Sequence, residues 1–514
     1  MVIIAALLLF VRLGSAPIYI LDEAKNAQCA REMWDRGDWV VPTFNGGLRT
    51  DKPALHYWFM RAAYQVGGVG AAQARFFSAF FGLLLVCITY HKVKAWVGNG
   101  IAFFSAAALV LSPHFLFEFR LSVPDPYLIF FTTLGLYFGY GYLEGKKRLS
   151  LLLTSVSLGL AMLAKGPVAL ALPGLVFMAY VVVKKYWWVF KDPYIFASVF
   201  IALVIAAPWY YAVHEATGGA FTRGFFLDHN LNRFSAEKEG HGGPFIITPL
   251  IVVLGMLPAS LLAICGMGKR QGFWGNPLFL FAFIVVAVYV CFFSISSTKL
   301  PNYPMPCYPF VAILAGFTAH NVFTGKAKVP GWVWATWLVL ALAIPVGGFI
   351  ALHNDKAVGN YAWVALCLFC LPLCLGLAWR IRKRVLPSFR AIGLGWVAFS
   401  LTLLWVGYPL VYKQNPVTKL LPALGDRNLL LAYKAYNPAF NFNLEKDYII
   451  PVYQQVDSLR NFVNARANAK GGGDICIVSR LQYLPELEGA GFKEIARYRD
   501  LFELPTTVIL KLNQ

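Results

Sequence analysis

Charge is what this 514-residue sequence has least of. Asp, Glu, Lys and Arg together make up 14% of it, hydrophobic residues reach 58%, and mean hydropathy is +0.59. An ordinary soluble domain carries roughly 25% charged residues. The shortage excludes one large soluble core and requires many membrane spans. Acidic residues are scarcer still, 25 against 45 basic ones, for a net charge of +20. In a soluble chain that excess would suggest nucleic acid. Here the basic residues sit in short clusters between apolar runs, which is how membrane orientation is written, so no nucleic-acid partner is expected. Cysteine offers no framework either: there are nine, and all but Cys29 and Cys476 lie in apolar runs. Cys367, Cys370 and Cys374 share one helical face and read as small hydrophobes. No convincing internal repeat is present. Gly471-Gly472-Gly473 lacks the spacing of a phosphate-binding loop.

What is present is a series of apolar runs near the length a membrane helix needs, about 20 residues. Thirteen candidates lie at about 1–16, 70–90, 98–117, 124–143, 149–164, 167–184, 194–213, 246–266, 278–297, 304–321, 331–352, 361–379 and 390–411. The first is read as a short span rather than a signal peptide. The fifth and sixth are separated by Lys165-Gly166-Pro167, a helix break. Basic clusters follow every second run: His91 to Lys94, Lys146 to Arg148, Lys184 to Lys191, Lys269-Arg270, Lys326 with Lys328, and Arg380 to Arg384. The positive-inside rule makes these short loops cytoplasmic. Of the fifteen acidic residues before position 412, only Glu144 and Asp192 fall among them. The two long loops, about 17–69 and 214–245, have the opposite parity and are external. The fold class expected is an α-helical polytopic membrane protein spanning 1–411, with a small C-terminal α/β domain over 412–514 on the outer, periplasmic side. In that tail, 448–453, 474–478 and 506–512 read as strands and 458–469 as an amphipathic helix.

Ionisable residues beside a span are costly and often functional, and four external places hold them. Asp22-Glu23 follows the first span and can supply a general base, or serve as a helix cap. Asp51-Lys52-Pro53, followed by His56-Tyr57-Trp58, sets a carboxylate beside a phosphate-seeking lysine; an interfacial helix with a snorkelling lysine reads equally well. Asp125 stands between Pro124 and Pro126 at the external start of a span. Arg233, His241, Lys165, Lys299 and Tyr303 fall on the same side. His241 with Asp51 makes two metal ligands, too few to require a zinc or magnesium ion.

The motifs in this order resemble the bacterial aminoarabinose transferases of lipid A, relatives of the protein O-mannosyltransferases. They are Asp22-Glu23, Arg31-Glu32-Met33, Gly37-Asp38-Trp39-Val40-Val41-Pro42, Asp51-Lys52-Pro53, Tyr57-Trp58, Pro124-Asp125, Lys165-Gly166-Pro167, Arg233-Phe234 with His241, and Lys299-Leu300-Pro301 with Tyr303. The resemblance covers roughly 17–310. It implies the C-type membrane glycosyltransferase fold, thirteen spans, a periplasmic site, and transfer of a sugar from a polyprenyl-phosphate donor to a lipid A-like glycolipid, glycan or protein acceptor. It further implies that Asp22 is the catalytic carboxylate and Asp125 a second one. Lys52 would hold the lipid phosphate with Tyr303 nearby, and Glu23, Lys165, Arg233 and Lys299 would serve the substrate. Asp51 and His241 match the acid and histidine of a proposed metal site, where the family acid is usually Glu. The family's Arg-Tyr pair after the first carboxylates is replaced here by Lys25-Asn26. A flippase or transporter of a lipid-linked glycan is the alternative from another class, and a lipid-linked polymer ligase a third reading.

Overall fold

The computed structural model describes residues 1–231, 242–268, 272–424, 429–446, 448–467 and 475–512. Most of the described chain is helical. Among the described residues, seven helices are long and apolar enough to cross a bilayer: Ala71–Val97, Arg148–Lys165, Pro193–Ala216, Pro277–Ile295, Gly331–Asn354, Gly359–Arg380 and Val385–Tyr412. Each falls on an expected span. The other expected positions hold the helices Asn99–Val110, Asp125–Gly145, Val168–Lys184 and Tyr308–Phe323. Asp125–Gly145 and Tyr308–Phe323 are almost wholly enclosed by their neighbours. The bundle therefore has central helices screened from lipid by an outer ring.

Two expected spans come out differently. The first run forms a helix only over Val2–Phe10, nine residues, about half of what a bilayer requires. The run at 246–266 is not one straight helix: Ile247–Gly255 and Ala259–Gly266 meet at 114°. Pro258 supplies no N–H and cannot continue the first helix. The carbonyls around the break are satisfied from other segments, as apolar surroundings demand. Ser112 Oγ donates to Gly255 O at 2.6 Å, and Trp337 Nε1 donates to Pro258 O at 3.0 Å. The break expected at Lys165-Gly166-Pro167 is present. Gly166 has φ +86°, and a Cβ there would lie 2.6 Å from the Phe225 ring.

The 17–69 segment is more ordered than a loop. It holds the helices Leu21–Asp35 and Leu55–Gly67, with a hairpin between them made of β1 (Thr43–Phe44) and β2 (Gly47–Leu48). Leu21–Asp35 is polar in sequence, yet Glu23, Asn26, Gln28, Arg31 and Glu32 are all buried. The tail covers it. Arg31 donates to Leu444 O at 2.7 Å and Glu445 O at 2.6 Å, Asn443 Nδ2 to Ile18 O at 2.9 Å, and Asn45 exchanges two hydrogen bonds with Ile450. Cys29, Met33, Tyr57 and Tyr64 share one apolar core with Leu430, Phe440, Cys476 and Ile509. The chain from 429 forms a five-stranded sheet, β3 (Leu429–Tyr433), β4 (Val452–Tyr453), β5 (Ile475–Arg480), β6 (Phe492–Arg499) and β7 (Thr506–Leu512), in the order β4-β3-β5-β7-β6. β3 runs parallel to β4 and β5, while β7 is antiparallel to β5 and β6. Helix Val456–Ala467 connects β4 to β5.

Candidate active site

The helix Leu21–Asp35 starts with two carboxylates in its first turn, where the helix dipole favours negative charge. They have opposite surroundings. Asp22 has a half-exposed side chain, with Oδ1 3.8 Å from Nη2 of Arg49. Glu23, expected to contact substrate, is instead fully buried, and both its oxygens are taken by Arg75 at 2.7 and 2.8 Å. With its oxygens engaged by Arg75 and Ser122, it contacts protein rather than substrate in this arrangement.

Arg49 follows the hairpin. Its side chain is 4% exposed and its Nε lies 3.4 Å from Asp51 Oδ2, so one guanidinium faces two carboxylates. None of its three nitrogens makes a hydrogen bond among the described residues. Lys52, the next cation along, is also buried. Burial, with Arg49 and Lys52 close by, pushes the His56 imidazole well below the usual histidine range. It is therefore neutral at neutral pH, and its Nε2 lies 3.3 Å from Asn26 Oδ1.

Asp125 opens the Asp125–Gly145 helix, and Lys165 closes Arg148–Lys165. The two side chains form an ion pair, Asp125 only 2% exposed. The Lys165 ammonium also lies 4.7 Å from the centre of the Tyr303 ring, within cation–π range. Glu118, not selected from the sequence, is buried beside this pair. Its charged neighbours are Asp125, Lys165, Asp22 and Glu23, and its Oε1 has no hydrogen-bond partner among the described residues. The sequence carries a sign of it, since Glu118 is one of few acids near the end of an apolar run.

Asp51, Lys52, Lys165 and Tyr303 line one cavity of about 190 Å³, whose remaining wall includes Leu128, Val168, Leu172, Phe225, Tyr289, Phe292 and Phe293. Cations and a phenol stand against an apolar wall, the combination that suits a phosphate attached to a hydrocarbon chain. Lys299 is outside this lining and turns back to donate to Ser296 O at 2.8 Å. Arg233 and His241 lie outside the described residues. Among the described residues no three His, Cys, Asp or Glu side chains gather as a metal site.

The chain is similar to several known proteins. The family model of dolichyl-phosphate-mannose-protein mannosyltransferases matches residues 2–217. An uncharacterized protein of Aquifex aeolicus (strain VF5) is 30% identical over 316 residues, 60% of this chain and 70% of its own length. A protein of Aeromonas salmonicida (strain A449), named undecaprenyl phosphate-alpha-4-amino-4-deoxy-L-arabinose arabinosyl transferase, is 28% identical over 415 residues, 75% of this chain and 74% of that one. The crystal structure of ArnT from Cupriavidus metallidurans bound to undecaprenyl phosphate has the same fold, with a TM-score of 0.79, 24% identity, and coverage of 99% of this chain and 97% of that one. With these similarities and the helical bundle above, this chain is a multi-span membrane glycosyltransferase, similar to the dolichyl-phosphate-mannose-protein mannosyltransferases and to the aminoarabinose transferases.

Proposed function

We propose that this protein transfers a sugar from a polyprenyl-phosphate carrier to an acceptor on the periplasmic face of the inner membrane, with inversion at the anomeric carbon. The acceptor class is a lipid A-like glycolipid or a protein hydroxyl. The observation that carries this reading is the cavity in which Lys52, Lys165 and Tyr303 face an apolar wall: one end suits a phosphate and the wall suits a polyprenyl chain. Relatives named for an undecaprenyl phosphate sugar support the donor class. In this reading the basic loops are cytoplasmic, residues 1–411 form the transferase unit and 412–514 a periplasmic α/β unit.

The reaction is a single displacement. The acceptor oxygen attacks the anomeric carbon from the face opposite the phosphate. Asp22 takes the acceptor proton. The bond from the anomeric carbon to the phosphate oxygen breaks, and its electron pair stays on the phosphate, where Lys52 stabilises the added charge. Lys165, which lines the same cavity, adds a second cation. Asp125, held by Lys165, faces the sugar as the second carboxylate. The logic is that of inverting glycosidases with the acceptor in place of water. Asp51 is the residue a divalent cation would use. Its carboxylate already lies 3.4 Å from the Arg49 guanidinium, so no step is routed through a metal. A flippase would use ionisable groups near mid-membrane, whereas Asp22, Asp125 and Lys165 all sit at helix ends.

The test is direct. Purified protein is reconstituted with a panel of polyprenyl-phosphate sugars and outer-membrane lipid or peptide acceptors, and products are read by mass spectrometry. Free polyprenyl phosphate should form together with a glycosylated acceptor. An intact lipid-linked sugar that changes leaflet with no bond cleaved would instead support the flippase.

A further inference from the structure

Glu23 and Arg75 take no part in the chemistry above, yet they form a fully buried ion pair next to it. Glu23 is 0% and Arg75 1% exposed. Arg75 Nε donates to Oε1 at 2.7 Å and Nη2 to Oε2 at 2.8 Å, the two parallel bonds that make a guanidinium–carboxylate pair directional. The remaining arginine nitrogen donates to Leu13 O at 2.9 Å and Ala16 O at 2.8 Å. Glu23 Oε1 accepts a second set of bonds, from Ser122 N at 3.0 Å and Ser122 Oγ at 3.3 Å.

One carboxylate thus joins three segments far apart in sequence: the first turn of Leu21–Asp35, the start of the Ala71–Val97 helix, and the link that precedes Asp125. Asp22 is the residue before Glu23, and Asp125 lies three residues after Ser122. The same link is fixed from its other side, where Arg120 donates to Leu8 O at 2.6 Å and Val11 O at 3.1 Å. A buried ion pair is a weak source of stability compared with apolar residues of the same volume. Its directional bonds do, however, define where the two segments sit, and catalysis depends steeply on such placement.

We propose that Arg75 and Glu23 are positioning residues that hold the Asp22 carboxylate in fixed register with Asp125, so that acceptor and donor sugar meet in line. The proposal rests on the roles given above to Asp22 and Asp125. Neither clamp residue touches substrate.

The test uses the full chain in proteoliposomes with Glu23→Gln, Glu23→Asp and Arg75→Lys. Glu23→Gln keeps the size and an acceptor for Ser122 but removes the charge facing Arg75. Glu23→Asp keeps the charge and shortens the reach by one methylene. Arg75→Lys keeps the charge and removes the paired bonds. Folded protein is quantified by size exclusion, binding of polyprenyl phosphate is titrated, and kcat and KM are measured per folded molecule. Binding and donor KM should stay within about threefold of wild type, while kcat falls about 100-fold in Glu23→Gln and less in the two charge-conserving variants. A purely structural pair would lower the folded yield and leave kcat of the folded fraction unchanged; that result overturns the proposal. If Glu23→Gln does not fold, Arg75→Lys decides on the same criterion. Failure of the unsubstituted protein to transfer any sugar would overturn both the proposed function and the clamp, whereas wild-type kcat in a folded clamp variant would overturn the clamp alone.

Discussion

The buried guanidinium of Arg49 faces the half-exposed carboxylate of Asp22 across 3.8 Å, and the same guanidinium lies 3.4 Å from Asp51. An adjacent cation favours the ionised form of a carboxylate. Asp22 as general base must be ionised to work. Arg49→Gln removes that cation and should lower kcat about tenfold, with Arg49→Lys closer to wild type. A folded Arg49→Gln variant with wild-type kcat would show that this contact does not serve the Asp22 carboxylate.

The pair Lys165–Asp125 allows a stability prediction. Lys165→Met leaves a nearly inaccessible carboxylate without its counter-charge, and breaking a buried pair from one side costs about 3–5 kcal/mol. Asp125→Asn in the same chain should recover much of this, since the uncompensated charge is gone. Thermal unfolding in detergent checks the expected order: wild type above the double variant, and the double variant above Lys165→Met.

His56 predicts how stability responds to acid. Its folded pKa lies well below the unfolded value of about 6.5. Between those two values the unfolded chain binds more protons than the folded one, so stability falls as pH drops below about 6.5. Above that pH the neutral form dominates in both states and His56 contributes no pH dependence. His56→Gln should flatten the part of the melting-temperature profile between pH 7 and 5 that this residue causes. A slope unchanged by the substitution would assign it to other groups.

The tail carries a fourth prediction. Phe440 is fully buried in the core shared by the tail and the Leu21–Asp35 helix. Phe440→Ala should cost about 3–5 kcal/mol, and truncation near residue 412 should lower sugar transfer by loosening the helix that carries Asp22. Full activity after truncation would show that the tail does not support that helix.

Much of this architecture is legible in the sequence because a bilayer imposes a length and a charge rule. The long apolar runs became helices at the expected places, and Lys165-Gly166-Pro167 ended a helix as proline and glycine dictate. Pro258 was not read as a break because it lies inside an uninterrupted apolar run, where hydropathy is blind to a turn. Leu21–Asp35 was missed for the opposite reason: its buried face is polar, and its partners lie more than 400 residues away in the tail. β3, Leu-Leu-Leu-Ala-Tyr, has no alternation, as expected of a strand covered on both faces. At the candidate site, Asp22, Asp51, Lys52, Asp125, Lys165 and Tyr303 were all selected from sequence. Arg49, Arg75 and Glu118 were not. Arg75 had a readable sign, a cation near the start of an apolar span, but its partner Glu23 can be identified only in three dimensions.

If Asp22 is the base of a lipid-carried sugar transfer, Asp22→Asn should remove nearly all turnover of a donor and acceptor that the wild type converts in proteoliposomes. The kcat should fall about 100-fold to 10,000-fold, with polyprenyl phosphate still bound and the melting temperature preserved. Turnover within a few-fold of wild type would show that another group takes the acceptor proton.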